Sequence, residues 1–507
     1  MKDELTFLQK YKEFNNKTWY EAQVEIPKQP LLQTRQTANT AGKVLASLSK
    51  AIDAVELRNG MTVSFHHALR NGDLVMQMVF AAIHEKGIKN LTLSASSLSL
   101  VQDVLFPYFE DGTITTVDTS GARGKLATWI QAGKLSKPAI FRTHGGRARA
   151  ISTGELKIDV AFLAAPCCDT LGNVNGVDGK AACGSLGYAM VDAAYAKTVV
   201  AVTDNLVNKP LEYVSIPAKQ VDYIVEVPSI GDPAGIATGS IRPSKSPVER
   251  LIAHYAAQVI ANSSCFKTGI SFQFGSGGIA ISTAKAIRTE MEKRKIIASS
   301  AVGGMTGVLI EMLQDGLIDK VYDPQTFDTS IIHIMKENPN YHEISASDYA
   351  NPFVPAPAVD LLDVAVLSAT EMDVDFNVNV LTNSYGKLIG APGGHPDAAA
   401  GAKLSIVTMP LLRGRLPMLL DRVNTIVTPG NTIDVLVTEY GIAINPLRQD
   451  LVDHYRRLAV PQYHVDELQA KAYKLVGKPQ DNTFGNIIGG VVEYRDGRII
   501  DVVRNVK

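Results

Sequence analysis

The chain has 507 residues, 46% hydrophobic and 20% charged, enough apolar material for two or three domains with buried interiors. Fifty basic residues stand against 51 acidic ones, so there is no net field to hold a polyanion, and nucleic-acid binding is not expected. The opening MKDELTFLQKYKEF mixes both charges and no stretch approaches about 18 uncharged apolar residues, so neither a signal peptide nor a membrane span is expected and a cytoplasmic location is.

In chain order, residues 1–55 read as an extended arm followed by a helix from Ala41 to Leu57. Such an arm either wraps its own domain or offers a surface to partner subunits. TVSFHHALRNGD then reads as a strand running into a turn that carries His66, His67 and Arg70. Adjacent side chains on a strand point to opposite faces, so at most one of the two histidines lines a site. FRTHGGRARAI places Arg142, His144, Arg147 and Arg149 around two glycines. Guanidinium forks suit carboxylates; the alternative is a solvated charged face. Cys167, Cys168, Cys183 and Cys265 are too few for a disulfide framework and lack zinc-finger spacing, so they read as reduced, mostly buried residues, and no metal is expected.

The chain then repeats itself. Residues 157–176 lie over residues 361–380 at a constant offset of 204, with nine of twenty pairs identical. FEDGTI pairs with LQDGLI, TVSFHHALRNGD with GISFQFGSGGIA, and DAAYAK with DAAAGAK at nearly the same offset. Within the second copy, GISFQF, IAISTAKAIRTEMEKRK, IIASSAVGG and LIEMLQDG alternate strand and helix patterns. This predicts an α/β fold with a largely parallel sheet flanked by helices, present twice, in domains 56–245 and 246–507, the second with a C-terminal extension. Glycines follow the strands at Gly275, Gly277 and Gly278 and at Gly303 and Gly304, where bare N–H groups can meet a ligand or the backbone can simply pack tightly.

At the repeated strand end the first copy has Pro166-Cys167-Cys168-Asp169 and the second Thr370-Glu371-Met372-Asp373. Asp169 and Asp373 are expected to cap turns. Glu371 is the asymmetric carboxylate, either a surface group or an active-site one. Downstream, GAPGGHPDAAAGA offers Gly393, Gly394, His395 and Asp397, with Asp397 either orienting a substrate or capping the helix that follows.

ATEMDVDFNVN, GAPGGHPDAAAGA and VTPGNTIDVLVTEYGIA, in that order, resemble the coenzyme A transferase superfamily, and the chain over its full length resembles the citrate lyase α-subunit family. The resemblance implies two tandem coenzyme A transferase-like domains. It implies a citrate:acetyl-carrier transferase that exchanges acetate for citrate on the carrier thiol. The thioester arm, a phosphoribosyl-dephospho-coenzyme A, is borne on an acyl carrier γ subunit, with coenzyme A thioesters as a surrogate; no cofactor is attached to this chain. A β subunit then cleaves the citryl thioester. The implied assembly is a hetero-oligomeric complex, or a homo-oligomer when the chain is isolated.

On this reading Glu371, Gly393, Gly394 and His395 carry catalysis. Arg142, His144, Arg147, Arg149, His66, Arg70 and Asp397 bind substrate, and Gly275, Gly277, Gly278, Gly303 and Gly304 hold the carrier arm. The family's direct attack of citrate on the acetyl thioester competes with covalent catalysis by Glu371, as in the hydrolase/transferase relatives. The other readings are an acetate or citramalate transferase, an acyl-thioester hydrolase, a sugar-phosphate-sensing binding protein, and a non-catalytic scaffold subunit.

Overall fold

The computed structural model describes residues 2–36, 42–237 and 243–507, and its backbone is organised by two large, mostly parallel sheets. The first runs Val44–Leu45, Tyr223–Glu226, Thr198–Thr203, Val160–Ala165, Thr62–Phe65, Leu91–Ala95, Ile114–Thr119, Ala139–Arg142, Phe484–Glu493, Ile499–Val506. The second runs, from its opposite end, Gly441–Ile444, Val435–Thr438, Leu404–Thr408, Val364–Ser368, Ser271–Phe274, Ser300–Val302, Val321–Asp323, Tyr341–Glu343. From Tyr223–Glu226 to Ala139–Arg142, and from Val435–Thr438 to Tyr341–Glu343, both sheets place seven strands in the same order with respect to the sequence, all parallel. The internal repeat is therefore a repeat of topology.

Helices on both faces explain why a central strand such as Val160–Ala165 is apolar and buried at all six positions. After Val160–Ala165 and after Val364–Ser368 the chain enters the same small accessory sheet, built from Cys167–Asp169 and Val174–Asn175 in one copy and Glu371–Asp373 and Val378–Asn379 in the other. The two aspartates do cap the turns between those strands. Asp169 Oδ1 accepts the N–H groups of Leu171, Gly172 and Asn173, and Asp373 Oδ1 those of Asp375 and Asn377.

The ends of the chain depart from the expected layout. The predicted Ala41–Leu57 helix is confined to Leu48–Ala54, because Ser47 caps it by accepting the Lys50 N–H at 3.2 Å and Val44–Leu45 pairs as a strand; Ala41 lies outside the described residues. The arm before it lies on the first sheet's unit, with Trp19 bridged to Ile499, the Leu32 N–H donated to Ser152 and Arg35 paired with Asp222 at 2.6 Å. The C-terminal extension joins the first unit, not the second: Phe484–Glu493 pairs in parallel with Ala139–Arg142 and turns back as Ile499–Val506. All four cysteines are free, three of them buried. Among the described residues no helix is long and apolar enough to cross a membrane.

Candidate functional site

Four neighbouring strands of the first sheet deliver polar groups at their carboxyl ends: His67 after Thr62–Phe65, Ser96 after Leu91–Ala95, Ser120 after Ile114–Thr119 and His144 after Ala139–Arg142. The carboxyl edge of a parallel sheet is where open α/β proteins hold ligands. The second unit meets this edge with Gln325, just beyond Val321–Asp323, and with the loop Gly390–Gly394. His67 joins Ser96 Oγ through Nδ1 (2.6 Å) and Gln325 Oε1 through Nε2 (3.2 Å). The Gly393 N–H donates to Ser120 Oγ (3.1 Å), and the His144 N–H donates to the Gly393 carbonyl (2.9 Å). Gly393 has φ +59°, the left-handed region that a side chain disfavours. The Gly394 N–H makes no hydrogen bond to the protein among the described residues.

His144 is the best-defined chemical group in this cleft. Burial, reinforced by nearby Arg147, lowers its pKa to about 3. Its Nδ1 lies 2.5 Å from the Tyr188 hydroxyl, whose own pKa burial and Tyr349 push well above the ordinary range, so the phenol keeps its proton. With that hydroxyl donating to Nδ1, the ring proton sits on Nε2. An ideal Cβ on Gly393 would lie 3.9 Å from His144 Cε1, so this edge of the ring borders the glycine loop. Burial, chiefly, also lowers His67 well below 6.5. The cleft thus presents neutral imidazoles.

A depressed histidine pKa is also a stability statement. The preference of the fold for neutral His144 is complete above pH 6.5, its ordinary value, and is lost as pH falls through the folded value of about 3. His395, lowered by burial to about 4, behaves alike. Asp397, raised by burial to about 6, acts in the opposite sense and favours the fold as pH falls below that value. An NMR titration of ring carbons is expected to show His144 and His395 neutral from about pH 8 to about pH 5. A His144 transition near 6.5 would contradict the buried geometry.

The structure reassigns most of the residues chosen from the sequence. Arg142 is buried and donates to Asp118 (2.9 Å), Glu155 (2.9 Å) and Glu493; Arg149 donates to Glu155 (2.7 Å) and Glu493 (2.8 Å); Arg147 pairs with Asp192 (2.9 Å) and donates to Ser64. These guanidiniums are already neutralised inside the fold and are not open to a substrate anion. His66 is buried, with Nε2 on the Ala164 carbonyl (3.1 Å), whereas His67 turns toward the cleft. Arg70 ties the units together through the carbonyls of Thr326 and Phe327.

Asp397 caps the helix His144–Ser152 across the interface, accepting from Thr143 Oγ1 (2.9 Å) and the Gly145 N–H (3.0 Å), and so neither orients a substrate nor caps its own helix. His395 Nδ1 contacts Thr428 Oγ1 (2.7 Å), while its Nε2 is buried without a hydrogen-bond partner. Gly304 is a packing position, since a Cβ there would fall inside the Phe327 ring, and Gly303 abuts Gln273. Gly275 and Gly277 border Val366 and Ser368 at the strand end, Gly277 exposed, and Gly278 packs on Ser244.

Glu371 reaches the glycine loop through Asn379. It is fully buried beside a cavity of about 590 Å³ whose walls include Tyr385, Asn424, Tyr473 and Asn482 but none of Gly393, Gly394, His395 or the four residues of the arginine segment. Its Oε2 accepts from Asn379 Nδ2 (3.0 Å), and Asn379 Oδ1 accepts the N–H groups of Leu381 and Thr382 at the start of the loop that leads to Gly393. Glu371 Oε1 is buried without a partner. In the first copy Asn175 holds the matching turn by accepting from Val177 and Asp178, and its Nδ2 donates to Asp178 Oδ2 at 3.0 Å. The carboxylate that steadies the asparagine comes from a different position in each copy.

His67, Tyr188, Gln325 and Ser120 were not selected from the sequence. His67 was visible as one of an adjacent pair; the others carry no local signal, because the contact that matters comes from a segment about 40 to 270 residues away.

The family model described as citrate lyase, alpha subunit (CitF), matches residues 41–506. The chain is 48% identical over 465 residues to the citrate lyase alpha chain of Klebsiella pneumoniae, covering 92% of each. A crystal structure described as the citrate lyase α subunit of Streptococcus mutans in complex with citrate superposes with a TM-score of 0.94 at 46% identity, covering 98% of both chains. A malonate decarboxylase α subunit from Acinetobacter baumannii shares the fold at 16% identity, with a TM-score of 0.63 over 86% of this chain and 93% of that one.

Proposed function

The chain belongs to the citrate lyase α-subunit family, and from that premise we propose that the cleft between its two units is where an acetyl thioester and citrate exchange acyl groups. The family's α subunit is a transferase within a multi-subunit lyase. Its partners here are a carrier subunit bearing the thioester arm, which for this chain is substrate, and a β subunit that cleaves the citryl product. The assembly works in the cytoplasm.

In the first step a citrate carboxylate oxygen attacks the acetyl carbonyl and the carrier thiolate leaves, giving a mixed citryl–acetyl anhydride. In the second, the thiolate attacks the citryl carbonyl and acetate leaves. Both leaving groups depart as anions and no net proton is exchanged. What each step does need is hydrogen-bond donation to a carbonyl oxygen that gains charge. The observation that carries the proposal is the neutral His144 ring bordering Gly393, the residue before a Gly394 N–H that no protein group engages among the described residues. A donor that stays neutral serves a reaction with no net proton transfer.

The competing route makes Glu371 a covalent nucleophile. The engagement of its Oε2 by Asn379, whose Oδ1 holds the start of the loop that leads to Gly393, supports the direct route, with Glu371 as a positioning residue. Exchange of labelled acetate into an acetyl thioester should depend on citrate, with no acyl-enzyme trapped by hydroxylamine. Exchange without citrate, giving a hydroxylamine-sensitive adduct, would favour the covalent route; citrate-independent hydrolysis would make the chain a thioesterase. Glu371→Gln, which keeps an oxygen for Asn379, is expected to retain turnover within about tenfold. A loss of two orders or more, typical of removing a catalytic group, would return Glu371 to the centre of the chemistry.

A further inference from the structure

Arg123 sits immediately beyond the strand Ile114–Thr119, three residues after Ser120, which receives the Gly393 N–H. The intervening residues are pressed against the same loop of the second unit: Ala122 donates its N–H to the Gly390 carbonyl (3.2 Å), and an ideal Cβ on Gly121 would come within 2.3 Å of the Ala391 Cβ. Arg123 therefore follows directly on the segment that packs against this loop. Its guanidinium is half-buried yet makes no hydrogen bond or ion pair, alone in this respect among the described arginines that are not exposed.

The carboxylate that meets the turn just after Arg123 is already committed elsewhere. Asp103 uses its two oxygens on the N–H groups of Lys125 (3.0 Å) and Leu126 (3.2 Å), capping the helix Gly124–Gln131. That helix end is thus satisfied by protein and is not itself an anion site. Burial is the sole influence that shifts the Arg123 pKa, and it lowers it, so no carboxylate compensates the charge. A cation half removed from water without a partner is unfavourable unless something supplies one. The other groups gathered in the cleft, His67, His144, Gln325, Ser96, Ser120 and the glycine loop, are neutral.

We infer that Arg123 is the carboxylate-recognition residue of the cleft, holding a citrate carboxylate that does not react while another attacks the thioester. This rests on the transferase reading above. A phosphate of the carrier arm would offer similar chemistry, but it lies a pantetheine length from the thioester, whereas Arg123 is three residues from the serine that anchors Gly393.

The test compares citrate with citramalate, which lacks one carboxylate, as acceptors for the full-length chain with acetyl-CoA as donor. Arg123→Met is expected to raise the citrate KM by about tenfold or more, the scale of losing a charge-assisted hydrogen bond, and to leave the acetyl-CoA KM unchanged. With citramalate the same substitution should have a much smaller effect, so preference for the third carboxylate collapses. Arg123→Lys should recover part of it, since the charge remains without the fork. Because the guanidinium has no protein partner, both variants should melt like the parent. An equal penalty with both acceptors, or an increase confined to the acetyl-CoA KM as phosphate recognition requires, would overturn the inference. If the parent chain itself transfers acyl groups to neither acceptor, the transferase reading fails instead.

Discussion

Replacing Glu493 with alanine is expected to lower stability by about 3–5 kcal/mol, the cost of removing one member of a buried ion-pair network and leaving its partners' charges exposed to low dielectric. Glu493 is 1% exposed. Its Oε1 receives both Arg142 and Arg149, and its Oε2 pairs with Lys17 at 2.6 Å. Asp118 and Glu155 remain in the variant, so the arginines are not stripped bare, but two carboxylates then face two guanidiniums and a lysine where three did. Urea unfolding of the full chain measures the loss. A change below about 1 kcal/mol, the ordinary range of surface ion pairs, would show that the network is far better hydrated than its burial implies.

The largest catalytic effect is expected at His144. His144→Phe keeps a ring of similar size against His67 and Tyr188 but removes the Nε2 donor, and turnover should fall by about 10²–10³, the range for loss of one oxyanion donor. The substitution also orphans the Tyr188 hydroxyl, which costs stability of its own. The double variant His144→Phe, Tyr188→Phe removes that complication. It should melt closer to the parent than the single variant while staying equally slow. Recovery of turnover in the double variant would mean that the single variant failed through misfolding, and His144 would lose its role.

The duplication of the fold, though not the order of its strands, was legible because duplication leaves a nearly constant offset, and because a strand covered by helices on both faces is a continuous apolar run, as VAFLAA and VAVL are. The site was less legible, for a physical reason. Comparing the copies column by column singled out Glu371 against Cys167, yet the relevant unit is the carboxylate held against an asparagine amide, supplied by Asp178 in one copy and Glu371 in the other. A column comparison registers an asymmetry where the geometry has a substitution of one supplier for another. The arginines misled in a second way. FRTHGGRARAI looks like an anion cradle until Glu493 arrives from 351 residues away to neutralise it, and no local pattern announces such a partner. Arg123, in an unremarkable strand-to-helix turn, gains its significance from what fails to approach it.

The C-terminal hairpin has a consequence for how the protein is made. Ala139–Arg142 is complete as a strand early in synthesis, but its outer edge, with Arg142 and Arg149 buried beside it, is covered only by Phe484–Glu493. During translation the first unit therefore emerges from the ribosome with an unpaired strand edge and under-compensated arginines, and must wait for nearly the whole chain before it can close. Such an edge invites pairing with another nascent chain. A stop codon only a few dozen residues early would leave the second sheet's sequence intact and damage the unit encoded farthest upstream.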